Sequence, residues 1–249
     1  RGDLEKILSV SRGKLRMMTM APELPGGLDL LALLEDSGAI GSLGHTEATF
    51  NEARAGFKQG IRHVTHLYNA MRGLHHREPG ALGAVLMDHS VTAQLITDGV
   101  HVHPELLRWT ASVLSPDSLV LITDALPAAG LADGVYSYDG RNYHPENGSA
   151  WYRERYDVPK GSSVRRTDPR GKLFGTTCLM DELIRRAMRF MGVTFQQAIT
   201  MASLNPARTL GLEKRLGSLA PGRQADLVLW DDQFRVTETI VRGNSAWAR

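Results

Sequence analysis

Histidine and aspartate recur in this chain of 249 residues just where short apolar runs end. His45 follows one such run in Gly44-His45-Thr46, and His66 follows another in Thr65-His66-Leu67-Tyr68-Asn69-Ala70-Met71. Asp124 follows Leu119–Thr123 and precedes Ala125. Neutral imidazole is a good ligand for zinc, and a catalytic zinc takes about three protein ligands and keeps one position for water. Such an ion lowers the pKa of water to about 7. A carboxylate beside it can accept the proton and return it to a leaving group. His45 and His66 are 21 residues apart, one strand–helix unit, so alternation would set both on one rim with Asp124 on a later strand end. Two histidines do not complete a metal site, and a third ligand has to come from elsewhere. The plainer reading makes each histidine a satisfied strand-end residue and Asp124 a cap for the turn before Pro127.

A second set suits an anion. Arg77, in His75-His76-Arg77-Glu78-Pro79-Gly80, offers a bidentate fork for phosphate or carboxylate. Backbone N–H groups at Asn69 and Ala70, just after His66, can also face an anion. The plainer reading of Arg77 is an exposed loop arginine. His101 and His103 straddle Val102; His101 is nearer a strand end and is the candidate for substrate contact, whereas His103 precedes Pro104 and reads as structural. His63 falls inside a strand candidate, His89 and His144 in loops. Cys178 has no CxxC partner and reads as an inert small residue on a helix.

The elements that must position these groups alternate. Strands are expected at Leu15–Thr19, Ala39–Leu43, Arg62–Thr65, Thr92–Thr97 and Leu119–Thr123. Between them, Thr49 and Glu52 form a capping box ahead of a helix that stops at Gly60. Pro104 opens another helix from its first turn. Further helices are expected over Cys178–Met191 and Thr194–Ala202. Units of about 25–30 residues imply a parallel sheet. Functional groups at several strand ends, Glu23 among them, favour a TIM-like (β/α)8 barrel. No GxGxxG or P-loop supports a nucleotide fold. After Gly211 the runs Leu216–Leu219, Asp226–Trp230 and Val236–Val241 read as a small β-module. The division is therefore a barrel portion over 1–211 and a small β-module over 212–249.

Composition narrows the class. There are 29 Lys+Arg against 27 Asp+Glu, a net charge of +2, and 42% hydrophobic residues. No apolar run approaches the roughly 20 residues of a membrane helix, and a single cysteine excludes an internal disulfide framework and suits a reducing compartment. Residues 149–172 hold seven basic and three acidic residues, net +4, which leaves −2 on the remainder. Nucleic-acid binding through that segment would want interleaved stacking aromatics, and only Trp151, Tyr152 and Tyr156 are near. Neither nucleic acid nor membrane is therefore an expected partner.

The stretches GHTEATFNEARAGFKQGIRHVTHLYNAMRGLHHREPGALG (44–83), ITDGVHV (96–102), ITDALPAAG (122–130) and LGSLAPGRQADLVLWD (216–231) closely resemble the N-acetylglucosamine-6-phosphate deacetylase family of the amidohydrolase superfamily. The resemblance covers most of the chain outside about 136–172. It implies a metal-dependent (β/α)8 barrel with a flanking β-sandwich, a cytoplasmic homodimer, and hydrolysis of the acetamide of N-acetylglucosamine 6-phosphate to glucosamine 6-phosphate and acetate. Carried over by motif, His45 and His66 are ligands of a divalent ion, zinc above all, and Asp124 is the general acid and base. Asn69, Ala70 and Arg77 hold the phosphate, Arg77 reaching across the dimer interface, and His101 contacts the sugar phosphate. The family's first metal ligand, a Glu in an LEGP-type motif, has no counterpart here, nor has the carbonyl-polarising histidine that follows it. The expectation is thus the C-terminal portion of a longer protein, its barrel lacking the N-terminal strands. The alternative is a non-catalytic sugar-phosphate-binding protein that kept the phosphate loop without a full metal site. Segment 136–172 departs from the family and is expected to be a surface insertion.

Overall fold

Strands buried on both faces read as short, nearly continuous apolar runs and expose polar groups only at their ends. In a computed structural model, which describes residues 1–132, 134–152 and 171–249, five short strands form one parallel sheet, and three of them are almost wholly buried. The chain begins with helix α1 (Gly2–Ser11), β1 (Met17–Met20), α2 (Gly27–Asp36), β2 (Ile40–Leu43) and α3 (Phe50–Gln59). It continues through β3 (His63–Val64), α4 (Gly80–Met87), β4 (Thr92–Leu95), α5 (Pro104–Val113) and β5 (Leu119–Leu121). The strands lie side by side in sequence order, each pair parallel, with Leu43 opposite Val64 and Leu95 opposite Leu121.

The helix boundaries follow local chemistry. Thr49 caps α3, its hydroxyl accepting from the Glu52 N–H while the Glu52 carboxylate accepts from the Thr49 N–H. The same helix stops at Gly60, whose φ of 136° is a conformation that residues with a Cβ rarely adopt. His103 caps α5 by accepting from the Glu105 N–H, the structural role expected of it. α4 is buried at every residue but its last, so it carries no amphipathic stripe, and the sequence reading passed over it.

Behind the sheet, Leu31, Leu43, Val64, Leu95 and Leu107 are fully buried in one core. His63 belongs to this interior: its Nδ1 lies 2.6 Å from the Thr92 hydroxyl, and burial pushes its pKa down to about 4.

Of the segment expected as an insertion, the described part forms β6 (Tyr136–Tyr138), β7 (Arg141–Glu146) and β8 (Ser149–Tyr152), which join β9 (Lys172–Thr176) in a four-stranded antiparallel sheet. It runs past the expected boundary at 172, and His144 lies in β7 rather than in a loop. Most of the basic stretch, with Tyr156, lies outside the described residues.

Next come α6 (Met180–Met191), α7 (Phe195–Ala202) and α8 (Leu204–Thr209). Cys178 precedes α6 rather than lying on it, and burial raises its pKa to about 11. A three-stranded antiparallel sheet closes the chain: β10 (Leu227–Trp230), β11 (Val236–Val241) and β12 (Asn244–Ala248). The expected strand at Leu216–Leu219 does not form. Gly217 there has a φ of 86° and packs against the backbone of Ser203 and Leu204, which fixes the segment as a bend. Among the described residues no helix is long and apolar enough to cross a membrane.

Candidate active site

Each strand of the parallel sheet ends one to three residues before a polar group, so consecutive strand ends bring these groups to a common rim. His45 lies two residues past β2, His66 two past β3, and Asp124 three past β5. All three line one pocket of about 510 Å3. All three also occupy left-handed backbone, with φ of 49° at His45, 29° at His66 and 49° at Asp124. A non-glycine residue there costs on the order of 1–3 kcal/mol and persists only where the surroundings enforce it.

The two imidazoles meet edge to face, with ring centroids 4.7 Å apart and Nε2 atoms 2.8 Å apart. At that separation one Nε2 carries a proton that the other accepts; with that proton removed, both Nε2 atoms are free to donate to one ion. His66 is 7% exposed and its Nδ1 is buried without a hydrogen-bond partner. Burial holds its pKa below the ordinary imidazole value, His45 pushes it the same way, and Asp124 opposes them. Two convergent neutral imidazoles are suitable donors for a divalent ion such as zinc. Among the described residues no group of three or more His, Cys, Asp and Glu side chains is placed to hold a metal ion, so the pair supplies two donors and not a full set.

Glu23 does not join this pair. Its carboxylate accepts from the Thr46 hydroxyl (2.7 Å) and the Glu47 N–H (2.8 Å), and so shapes the turn that carries His45.

The anion candidates stand apart from this pocket. Asn69 turns back on its own loop, its amide donating to the carbonyls of His66 and Leu67. Ala70 is exposed at a φ of 46°. Arg77 is exposed, its guanidinium donating to His76 Nε2 at 2.8 Å. His101 donates from Nδ1 to the buried Asp98 at 2.7 Å. Asp98 also accepts from the N–H groups of Val100 and His101 and from the Ser149 hydroxyl. Burial alone would raise the Asp98 pKa, but the His101 hydrogen bond and charge and the backbone donors outweigh it, and the net shift is downward. The carboxylate therefore fixes the orientation of the His101 ring.

The remainder of the pocket was not foreseen. Ala125, Leu126 and Pro127 follow Asp124 directly, and proximity in sequence was signal enough to find them. Tyr138 and Phe174 come from β6 and β9 of the inserted sheet, and no local pattern announces them.

Comparison with known proteins places this geometry. Residues 30–246 match the model of the amidohydrolase family. The chain is 38% identical over 244 residues to an N-acetylgalactosamine-6-phosphate deacetylase of Escherichia coli O157:H7, covering 98% of this chain and 60% of that one. It is 34% identical over 235 residues to an N-acetylglucosamine-6-phosphate deacetylase of Bacillus subtilis (strain 168), covering 94% and 55%. Among solved structures, a mutant N-acetyl-D-glucosamine-6-phosphate deacetylase of Mycobacterium smegmatis in complex with N-acetyl-D-glucosamine-6-phosphate superposes with a TM-score of 0.85 at 35% identity, over 98% of this chain and 61% of that one. The chain thus spans about three fifths of the length of these relatives. With a family model matched across most of its residues and polar groups gathered at the ends of parallel strands, this chain belongs to the amidohydrolase family.

Proposed function

We propose that the protein carrying this chain hydrolyses the acetamide of an N-acetylated amino-sugar 6-phosphate, releasing acetate and the free amine. N-Acetylglucosamine 6-phosphate is the reference substrate, and the galacto epimer belongs to the same class. The observation that carries this reading is the convergence of His45, His66 and Asp124 on one pocket. In this reading the five-stranded sheet is part of a (β/α)8 barrel, and residues 212–249 contribute to a β-sandwich.

His45 and His66 would hold a divalent ion, zinc by preference, as two of its roughly three protein ligands. When bound, that ion supplies Lewis acidity to a water molecule and to the amide carbonyl. Asp124, at the rim beside the two histidines, accepts the proton of the attacking water and delivers it to the departing amine nitrogen. The C–N bond breaks with its electron pair on nitrogen, so the proton from water balances the leaving group. Asn69, Ala70 and Arg77 bind the phosphate and His101 contacts the sugar phosphate, holding the acetamide against the rim. The exposed position of Arg77 suits a residue that reaches a second subunit, and we place the protein in the cytoplasm as a homodimer. Substrate binding does not involve nucleic acid or membrane.

Two readouts on the full-length protein test this. His66→Ala is expected to lower bound zinc, measured by metal analysis after dialysis, and to reduce acetate release from N-acetylglucosamine 6-phosphate at least ~100-fold. Unchanged acetate release in His66→Ala would refute the metal assignment. Tight sugar-phosphate binding without any acetate release from the wild type would favour the non-catalytic binding protein instead.

A further inference from the structure

One wall of the pocket does not belong to the parallel sheet. Tyr138 in β6 and Phe174 in β9 border the same space as His45, His66 and Asp124. Their ring centroids are 6.0 Å apart with planes inclined by 45°. Phe174 is backed by Tyr152, centroid to centroid 4.0 Å, and by Tyr143 at 6.0 Å. Tyr143 is fully buried, and its hydroxyl accepts from the Ala128 N–H at 3.1 Å. Tyr138, by contrast, leaves 48% of its surface exposed, a large aromatic side chain standing at the pocket with solvent on its free side.

This wall is in fixed register with Asp124. The Thr176 N–H donates to the Asp124 carbonyl (3.1 Å), the Leu126 N–H donates to the Thr176 carbonyl (2.9 Å), and the Thr176 hydroxyl donates to the Thr123 carbonyl (2.6 Å). Phe174 and Thr176 are two positions apart on β9, Phe174 at the bulge where the register with β8 shifts. Gly175, between them, lies so close that a Cβ there would stand 3.0 Å from the Asp124 carbonyl oxygen. β9 therefore carries an aromatic ring and a clamp on the backbone of the general base together.

We propose that Tyr138 and Phe174 form an aromatic wall that packs on the apolar C–H face of the substrate's pyranose ring and sets the preference between C4 epimers. The wall presupposes the amino-sugar phosphate reading above and makes it more specific. Aromatic faces are electron-rich and attract polarised C–H groups. An axial hydroxyl at C4 clears one face of a pyranose and leaves a continuous C–H patch across C3, C4 and C5; an equatorial hydroxyl interrupts it. The wall thus favours the galacto configuration.

The test is calorimetric titration of N-acetylgalactosamine 6-phosphate and N-acetylglucosamine 6-phosphate into the full-length protein carrying Asp124→Asn, which slows turnover below the time of the titration. Adding Tyr138→Ala is expected to raise Kd about tenfold for the galacto ligand and about threefold for the gluco ligand. Tyr138→Phe, which keeps the ring, restores both to within about twofold, and Phe174→Leu moves them in the same direction as Tyr138→Ala. Kd values left within about twofold by both Tyr138→Ala and Phe174→Leu would overturn the wall. The deacetylation reading is separated by the wild type: weakened binding in Tyr138→Ala with no acetate release from wild type keeps the wall and removes deacetylation. Acetate release with Kd values unmoved by either variant keeps deacetylation and removes the wall. If the Asp124→Asn protein binds neither sugar phosphate and the wild type releases no acetate from either, both fall.

Discussion

The parallel sheet β1–β5 and the antiparallel sheet β10–β12 are built from similar residues and end up in opposite conditions. In the first, β2, β3 and β5 are almost wholly buried, and the polar groups of the site emerge at one end. In the second, Val228, Leu229, Val241 and Trp247 are 42–50% exposed, and no candidate site residue lies on it. A strand covered on both faces has nowhere to present a functional group except past its last residue, so chemistry collects where helices leave the rim open. A strand with one open face spreads its polar and apolar side chains along its length and concentrates nothing. The backbone differs as well. His45, His66 and Asp124 all sit in left-handed conformations at the rim, whereas in the terminal sheet non-glycine positive φ is confined to turn residues Phe234 and Arg242.

The strongest way to break this contrast is at the rim itself. Asp124→Asn keeps a side chain that tolerates left-handed backbone but cannot take up a proton, so acetate release should fall ~10²- to 10⁴-fold while a thermal melt stays within a few degrees. A retained rate would show that the rim is architecture without chemistry. Burial is the next difference to challenge. Leu95→Ala in β4, fully buried in wild type, should cost about 2–5 kcal/mol in urea unfolding. Val228→Ala in β10 should cost under ~0.5 kcal/mol, and equal costs would mean the two sheets are equally packed.

The third test uses pH. His63 has a native pKa of about 4 against 6.5 for the ordinary side chain. Below pH 6.5 the unfolded chain binds a proton that the folded chain refuses, so stability present at neutral pH is lost as pH falls from 6.5 towards 4. The loss is on the order of 3 kcal/mol, and His63→Gln should flatten that part of the stability profile. A smaller effect than that of His63 sharpens the link between rim and inserted sheet. Thr176→Val removes the hydroxyl that serves the Thr123 carbonyl and should cost about 1–2 kcal/mol. If β9 fixes Asp124, kcat should fall several-fold with KM unchanged, and Thr176→Ser should recover it.

Much of this was legible beforehand. The five parallel strands lie where apolar runs predicted them, four of them trimmed by one or two residues and β1 displaced, starting two residues later and ending one residue later. Thr49 with Glu52 and Pro104 mark helix starts because first-turn chemistry is a property of a few consecutive residues. α4 escaped because a helix buried all round has no polar face to set a period, and β12 because exposed residues such as Asn244 and Ser245 give no alternation to read. Leu216–Leu219 looked like a strand on local composition, yet the turn at Gly217 packs on α8 and bends it away.

The sequence by itself determined which side chains stand at the strand ends, because burial of each strand and the length of each unit are written in residues a few places apart. Only the tertiary structure decided what those side chains meet. The 2.8 Å approach of His45 to His66 depends on the pairing of β2 with β3. The wall of Tyr138 and Phe174 depends on a sheet that closes a separation of 36 residues and hydrogen-bonds to the backbone of Asp124. Contacts of that range are set by packing and hydrogen-bond register, which no local pattern encodes.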